Sequence, residues 1–183
     1  RDRAVRELRE ADGDEAGARK LFDFAKLFNM ERIVTEANEK EFPMIEKLAE
    51  EYNIDVALHN HPKPSYYWDP AHVLKAVEGF KRIGSCADVG HWQRSSVKPI
   101  EALKMLEGHV FESHFKDLNE FGKPGAHDVP WGTGVSNIEA VLKELKRQNF
   151  KGVISAEYEY NWFNNTPEVA LSAKNVREMI KKW

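Results

Sequence analysis

The chain repeats one pattern along most of its length: a short run of β-branched and apolar residues, followed by a segment with apolar residues at helical spacing. The five runs read ERIVTE, IDVALHNHP, RIGSCADVGHW, HVFESHFKD and GVISAEYEYNW. Strands that alternate with helices pair in parallel, because each helix carries the chain back across the sheet. The pattern therefore predicts an α/β fold with five parallel strands.

The helical segments begin at recognisable start signals. Asp69 followed by a proline, Pro99, and Thr166 followed by a proline each predict the first turn of a helix. Ser136 with Glu139 has the spacing of a capping box and predicts a further start. A helix is also predicted before the first strand, with its apolar face formed by Leu21, Phe22, Ala25 and Phe28.

Two architectures contain such units: an open doubly wound sheet and a closed (β/α) barrel. The glycine-rich phosphate loop of a dinucleotide-binding sheet is absent after the first run, which favours the barrel. A complete eight-stranded barrel needs about 250 residues. We therefore predict one TIM-barrel domain over residues 1–183 that contains strands 4–8 and lacks the first three. The open edges would be covered by a further part of the protein or by a second copy, so a homo-oligomer is one expectation.

The composition limits the classes of binding partner and the cellular compartment that we expect. The net charge of -3 provides no cationic surface for phosphates, so we expect no nucleic acid, and no apolar run reaches membrane-spanning length. The single cysteine, Cys86, excludes an internal disulfide and fits a reducing compartment. A signal-peptide pattern is absent from the sequence. Because the chain begins at Arg1 rather than Met, the sequence leaves open whether an upstream segment exists. We expect a cytoplasmic protein.

Every predicted strand ends with a side chain that can bind a metal. The set comprises Glu36, His59, His61, Asp88, His91, His114, Glu157 and Glu159. The ends of barrel strands project into one mouth, where the loops build the active site. Imidazole and carboxylate groups together hold Mn²⁺, Zn²⁺, Co²⁺ or Fe²⁺ and leave positions for substrate oxygens. Such an ion stabilises an enediolate as a proton leaves the carbon beside a carbonyl.

Each residue also has a purely structural interpretation. His59 and His61 can cap a strand through hydrogen bonds, and His114 can be a satisfied core histidine. Glu157 can be buried beside a cationic side chain, since an unpaired buried carboxylate is costly. For Glu36, solvation in a loop is as good an explanation as a functional role.

The segments ALHNHP, CADVGHW, ESHFKD, VPWGTG and ISAEYEYNW resemble the sugar phosphate isomerase/epimerase group of the xylose isomerase-like barrels. The resemblance implies one divalent ion, Mn²⁺, Co²⁺, Zn²⁺ or Mg²⁺, with Asp88, His114 and Glu157 as ligands. Many members have a glutamate as the first ligand, at the end of the strand before the one that carries Asp88, and this sequence has His59 there. Either His59 binds the ion, or a water does, or Glu36 reaches across.

The resemblance also implies a substrate and residue roles. The substrate would be a sugar or keto-sugar, phosphorylated or not, with Glu157 or His59 moving the proton and Lys116 assisting. Substrate contacts would come from Lys116 and from His61, His91, Trp131 and Glu159. For Lys116 the alternative is a surface lysine paired with Asp117.

The leading functional hypothesis is metal-dependent isomerisation or epimerisation through an enediolate. A lyase or hydratase acting on a 3-keto-glycoside or inosose would use the same site. Two other classes remain: an AP endonuclease-like phosphodiesterase, which needs three zinc ions and a basic surface, and a non-catalytic sugar-binding module. The number of bound ions distinguishes these classes.

Overall fold

A computed structural model describes residues 14–183, so residues 1–13 of the predicted domain lie outside the described part. Five strands form one parallel sheet, curled into a half-barrel, in the order β1-β2-β3-β4-β7. These strands are β1 (Arg32–Thr35), β2 (Asp55–His59), β3 (Ile83–Asp88), β4 (Val110–Phe115) and β7 (Ile154–Ala156). Their order along the sheet follows the chain order, so the predicted five parallel strands are confirmed.

Helices connect the strands. They are α1 (Glu15–Leu27), α2 (Phe42–Tyr52), α3 (Pro70–Val77), α4 (Val89–Arg94), α5 (Pro99–Met105), α6 (Ile138–Arg147) and α7 (Thr166–Ile180), with a short 3-10 helix at Glu39–Glu41. A small hairpin of β5 (Asp117–Leu118) and β6 (Asp128–Val129) follows β4. None of the helices in residues 14–183 has the length and apolar character needed to cross a membrane.

Most predicted helix starts are confirmed. The Asp69 side chain accepts a hydrogen bond from the Ala71 N–H and caps α3, and α5 and α7 begin at Pro99 and Thr166. The capping box at Ser136 is wrong. Asn137 caps α6 instead, because the Ser136 hydroxyl is used by Gln93 and by the backbone of the strand region.

The core lies between the sheet and the helices. All six residues of β3 are buried, as expected of a central parallel strand covered on both faces. The apolar face of α2 buries Phe42, Ile45, Leu48 and Ala49. In α1, Phe22 and Ala25 are buried as predicted, but Phe28 is exposed because it lies past the helix end.

The strand register places the carboxyl ends at one edge of the sheet. Asp88 pairs with His114, and His59 pairs with Cys86 on the neighbouring strand. Glu157 directly follows Ala156, which pairs with Phe115. The fold therefore places the side chains that the sequence singled out at one mouth.

Candidate metal centre

Four strand ends bring four potential ligands together. His59, Asp88, His114 and Glu157 each offer one nitrogen or oxygen, and all four atoms lie within 4.8 Å of one another. They come from β2, β3, β4 and the residue after β7. This convergence is what the sequence analysis expected of the four proposed ligands.

The closest contacts are made by Glu157. Its Oε2 lies 2.5 Å from His114 Nδ1 and 3.4 Å from His59 Nε2. The two imidazoles are themselves 3.1 Å apart, measured from His114 Nδ1 to His59 Nε2. His59 Nε2 thus faces the other ligand atoms rather than open solvent.

Asp88 is held rigidly. Its Oδ1 accepts the N–H of His91 at 2.8 Å and caps the start of α4. The Asn60 side chain accepts the Asp88 N–H at 2.8 Å and donates to the Asp88 carbonyl oxygen at 3.0 Å. The other carboxylate oxygen, Oδ2, is buried without a well-oriented hydrogen bond in the described part of the chain. This oxygen is aimed at the centre of the cluster.

Lys116 lies at the floor of the cluster and is fully buried. Its ammonium is 3.1 Å from Asp88 Oδ2, 3.3 Å from Glu157 Oε2 and 3.5 Å from Glu159 Oε2. Burial opposes the charge, but the three carboxylates outweigh it and raise the pKa of Lys116. The interpretation of Lys116 as a surface lysine is wrong. Its predicted partner Asp117 is turned away, toward backbone amides.

The carboxylates of the cluster are held in the charged form. Burial alone would raise the pKa of Asp88, yet His91 and Lys116 lower it well below its usual range. Burial likewise raises the pKa of Glu157, but hydrogen bonds from His114 and His59 outweigh burial and lower this pKa. Both side chains are therefore anionic donors at neutral pH.

The pKa of His59 shifts in the opposite direction, upward. Burial disfavours its charged form, but hydrogen bonds to Asp88 and Glu157 prevail and raise the pKa to about 9. Because a metal ligand must offer a lone pair, a cation that binds at His59 displaces this proton.

His91 lies beside the cluster and is held by Arg94. Arg94 Nη1 is 3.1 Å from His91 Nδ1, and since guanidinium can only donate, Nδ1 accepts. The same Arg94 nitrogen donates to Glu159 Oε2 at 2.9 Å. Burial lowers the pKa of His91 to about 4, so the ring is neutral and carries its proton on Nε2.

Glu36 and His61 form a second pair at the same mouth. His61 Nδ1 lies 2.7 Å from Glu36 Oε1, and the His61 ring lies 4.6 Å from that of His59, measured between centroids. Glu36 contacts His61 at this short distance, and the four-ligand set forms without it.

Trp131 lies in a different environment. Its indole is buried in the core, 5.5 Å from the Phe115 ring between centroids, with the rings near perpendicular. Its substrate contact stays a prediction, and a ring packed in the core offers little surface for a sugar.

The loop that follows Trp131 is organised by Asp117, whose carboxylate accepts the N–H groups of Gly132, Gly134 and Ser136.

The donor set fits a divalent cation. Metal–ligand bonds of about 2.0–2.2 Å require ligand atoms within roughly 4.4 Å of one another. The contacts of His59 with Asp88, Glu157 and His114, at 3.7, 3.4 and 3.1 Å, lie inside this limit. Two imidazoles and two carboxylates suit Zn²⁺, Mn²⁺ or Co²⁺. The buried Asp88 Oδ2 is the oxygen best placed to gain a bond from such an ion. The two contacts of Glu157 with imidazole nitrogens would open as the ion bonds to the same atoms.

The geometry can now be compared with known proteins. The family described as xylose isomerase-like TIM barrel matches residues 36–183. The chain belongs to this family. Among curated proteins, no sequence matches it significantly.

Several solved structures share the fold. A D-tagatose 3-epimerase-like protein has a TM-score of 0.73 at 21% identity, covering 92% of this chain and 71% of the other. The IolI protein with a bound zinc atom has a TM-score of 0.72 at 19% identity, covering 93% and 72%. An uncharacterised protein from Parabacteroides distasonis is 33% identical with a TM-score of 0.65, covering 90% and 65%. The chain thus spans 65–72% of the length of these three proteins.

Three residues that shape the site escaped the sequence analysis. Asn60 clamps the Asp88 backbone, Arg94 orients His91, and Asp117 organises the loop before α6. The first two lie one and three residues from a strand-end histidine, a proximity that would have marked them for attention. For Asp117 the available signal was its place at the end of ESHFKD, one of the segments that carry the family resemblance.

Proposed function

We propose that this protein is a divalent-metal-dependent enzyme that abstracts the proton beside a carbonyl of a sugar or keto-sugar. The product would be an isomer or epimer of the substrate. The observation that carries the proposal is the convergence of His59, Asp88, His114 and Glu157 on one point, above a buried lysine. A bound divalent ion would supply Lewis acidity at the substrate carbonyl.

The chain's own residues have distinct roles in this proposal. Glu157 accepts the proton, because its carboxylate is kept ionised and is partly exposed at the mouth. His59 acts as a ligand, since a ring nitrogen committed to a metal cannot also accept a proton. Lys116 keeps the carboxylates ionised, and its N–H groups have no well-oriented acceptor among the described residues. They can therefore donate to an oxygen of the enediolate.

His91, which is buried, and Glu159, which is partly exposed, contribute beside the cluster. The neutral His91 ring offers an Nε2–H donor to a substrate hydroxyl, since this nitrogen makes no hydrogen bond in the described part and lies 3.7 Å from Asp88 Oδ2. Glu159 holds Arg94 and Lys116 in place through contacts of 2.9 and 3.5 Å. His61, at the outer edge, is 43% exposed and open to substrate.

Elimination or hydration on a 3-keto-glycoside or inosose is the second candidate. It begins with the same enolate and differs in the step that follows. The observation that favours it is His59, which replaces the glutamate that many epimerases of the resembling group have. Loss of water or of the glycosidic group, seen by mass spectrometry, would distinguish elimination from epimerisation.

The test is solvent isotope exchange. The chelated protein, reloaded with Mn²⁺, is incubated in D₂O with D-tagatose, D-allulose, D-fructose or methyl 3-keto-β-D-glucoside, and deuterium is located by NMR. We expect exchange at the carbon beside the carbonyl of at least one compound, lost in Asp88→Asn and retained in the surface variant Glu120→Gln. Metal-loaded protein that exchanges none of the four contradicts the proposal.

A further inference from the structure

Glu112 is a little-exposed carboxylate that has no role in the proposed reaction. It lies on β4 two residues before His114, so the two side chains project from the same face of the sheet. The Glu112 side chain is only 12% exposed. A carboxylate with so little access to water is costly unless donors or a positive charge meet it. Its neighbours therefore indicate what it is for.

The groups beside Glu112 in the described part of the chain are a hydroxyl, a thiol and an imidazole. Its Oε1 accepts the Ser155 hydroxyl of β7 at 3.3 Å. On the other side, the strand register pairs Glu112 with Cys86, whose thiol is buried on β3. Along β4, Oε1 lies 3.9 Å from His114 Nε2, and no lysine or arginine of residues 14–183 forms an ion pair with Glu112. Of these neighbours, His114 is the one that a bound cation would polarise.

The two ring nitrogens of His114 point to different partners. Nδ1 faces the cluster, 3.1 Å from His59 Nε2 and 2.5 Å from Glu157 Oε2, and is the atom placed to bind the ion. Nε2 lies on the side of Glu112. When an ion takes the lone pair of Nδ1, the neutral ring has its hydrogen on Nε2 and can donate from there. Histidine ligands commonly donate this second N–H to a carboxylate, which fixes the ring and strengthens metal binding.

We propose that Glu112 is a positioning residue of the metal centre, which accepts the Nε2–H of His114 and holds Nδ1 toward the ion. The inference rests on the proposed function, since it requires an ion bound at His114. The 3.9 Å separation exceeds a good N–H···O hydrogen bond by about 0.7 Å. A small rotation of the ring, released when the ion opens the contact between Nδ1 and Glu157, closes this distance.

Glu112→Gln tests the assignment through two quantities. In chelated protein the urea midpoint should stay the same or rise, because the amide replaces a little-exposed carboxylate that lacks an ion pair with lysine or arginine in the described part. The affinity for Zn²⁺, measured by competition with a chromophoric chelator, should fall about 10- to 100-fold. The exposed variant Glu120→Gln should match the wild type in both. A carboxylate with a merely structural role would lower the midpoint when replaced.

A double-mutant cycle shows whether Glu112 acts through His114. In the His114→Gln background the N–H that Glu112 holds is gone, so Glu112→Gln should change the Zn²⁺ affinity by about twofold or less. The ¹⁵N–¹H NMR spectrum of the Zn²⁺-loaded wild type should show the His114 Nε2–H signal at the position of a hydrogen bond to a carboxylate. In Glu112→Gln this signal should shift or be lost to exchange with water.

The outcomes separate this inference from the proposed function. Wild-type protein that binds no Zn²⁺ refutes both, whereas protein that binds Zn²⁺ but fails the isotope exchange refutes the reaction alone. Unchanged Zn²⁺ affinity in Glu112→Gln, or a lowered urea midpoint of its chelated form, overturns the role of Glu112. Equal losses of affinity with and without His114 also overturn it, because Glu112 would then act on the ion by its charge rather than by positioning the ring.

Discussion

Lys116 is the residue whose environment decides most about the site. An ammonium group without solvent exposure is costly to bury, and here three carboxylates offset that cost. A divalent ion bound by Asp88 and Glu157 would share those carboxylates with the lysine. In the proposed function, Lys116 would thus support the reaction and would also compete with the metal.

Lys116→Met should therefore separate binding from turnover. Without the competing ammonium, we expect divalent-ion affinity to rise about tenfold, by the Coulomb energy of like charges a few ångströms apart. Proton exchange should fall about 100-fold, because a donor to the enediolate is lost. Calorimetric titration with Mn²⁺ and the D₂O assay measure the two effects.

Lys98→Met is the control for this experiment, since Lys98 is 69% exposed and pairs only with Glu101 among the described residues. A Lys116→Met protein that folds but binds Mn²⁺ more weakly than the wild type would contradict this account of the lysine.

At the scale of elements, the start of α4 depends on a glycine. A Cβ at Gly90 would lie 2.4 Å from Lys116 Cβ, closer than real side chains approach. Gly90 therefore lets α4 pack directly on β4 and keeps the lysine stem under the site. This contact gives a physical reason for the glycine between Asp88 and His91 in the segment CADVGHW.

Gly90→Ala should destabilise the protein by about 1–3 kcal/mol, the usual cost of overpacking a core contact. It should also weaken Mn²⁺ binding, because Asp88 caps the same helix. Urea unfolding measures the first effect. Gly125→Ala is the matched control, since nothing lies within 4 Å of a Cβ there. Equal stability of the two variants would show that the close contact is unimportant.

The loop before α6 depends on a single carboxylate. Asp117 accepts three backbone N–H groups, so an amide in its place would lose one acceptor and direct an NH₂ group at a donor. Asp117→Asn should lower the free energy of unfolding by about 1–3 kcal/mol. Urea unfolding beside the exposed variant Glu120→Gln tests this, and matching midpoints would contradict it.

The elements themselves could be predicted because their signals are local. Alternating apolar runs and helix starts such as Asp69 need only a few neighbouring residues. The four proposed ligands could also be predicted, because the ends of successive parallel strands meet at one edge.

Other features depend on contacts between distant parts of the chain. Arg94 reaches Glu159, 65 residues away, and the burial of Lys116 follows from the approach of α4 to β4. The Ser136–Glu139 pattern predicted a cap that Asn137 provides, because Gln93 and the Leu118 N–H occupy the serine hydroxyl. A short stretch of sequence does not show that distant residues such as Gln93 compete for the Ser136 hydroxyl.

At the scale of the whole molecule, the ligands connect strands across the entire sheet. A cation bound to the ends of β2, β3, β4 and the residue after β7 would tie these strands together. The cluster without a cation holds three carboxylates beside Lys116, Arg94 and the protonated His59, and a bound ion would replace the His59 proton. Binding of an ion to the folded chain alone should therefore stabilise the whole domain.

Mn²⁺ at 100 times its dissociation constant should add about 2.7 kcal/mol to the stability of chelated protein. For a chain of this size that corresponds to a rise in Tm of roughly 5–10 °C. Differential scanning calorimetry measures the shift. Asp88→Asn should show little or none, and a shift equal to that of the wild type would place the ion elsewhere.

The most direct measurement is X-ray absorption on the protein loaded with one equivalent of Zn²⁺. The spectrum counts the imidazole ligands on the ion. We predict two in the wild type, from His59 and His114, and one in His114→Gln. A spectrum without imidazole scattering, or one unchanged in the variant, would contradict the convergence of these strand ends on a single cation.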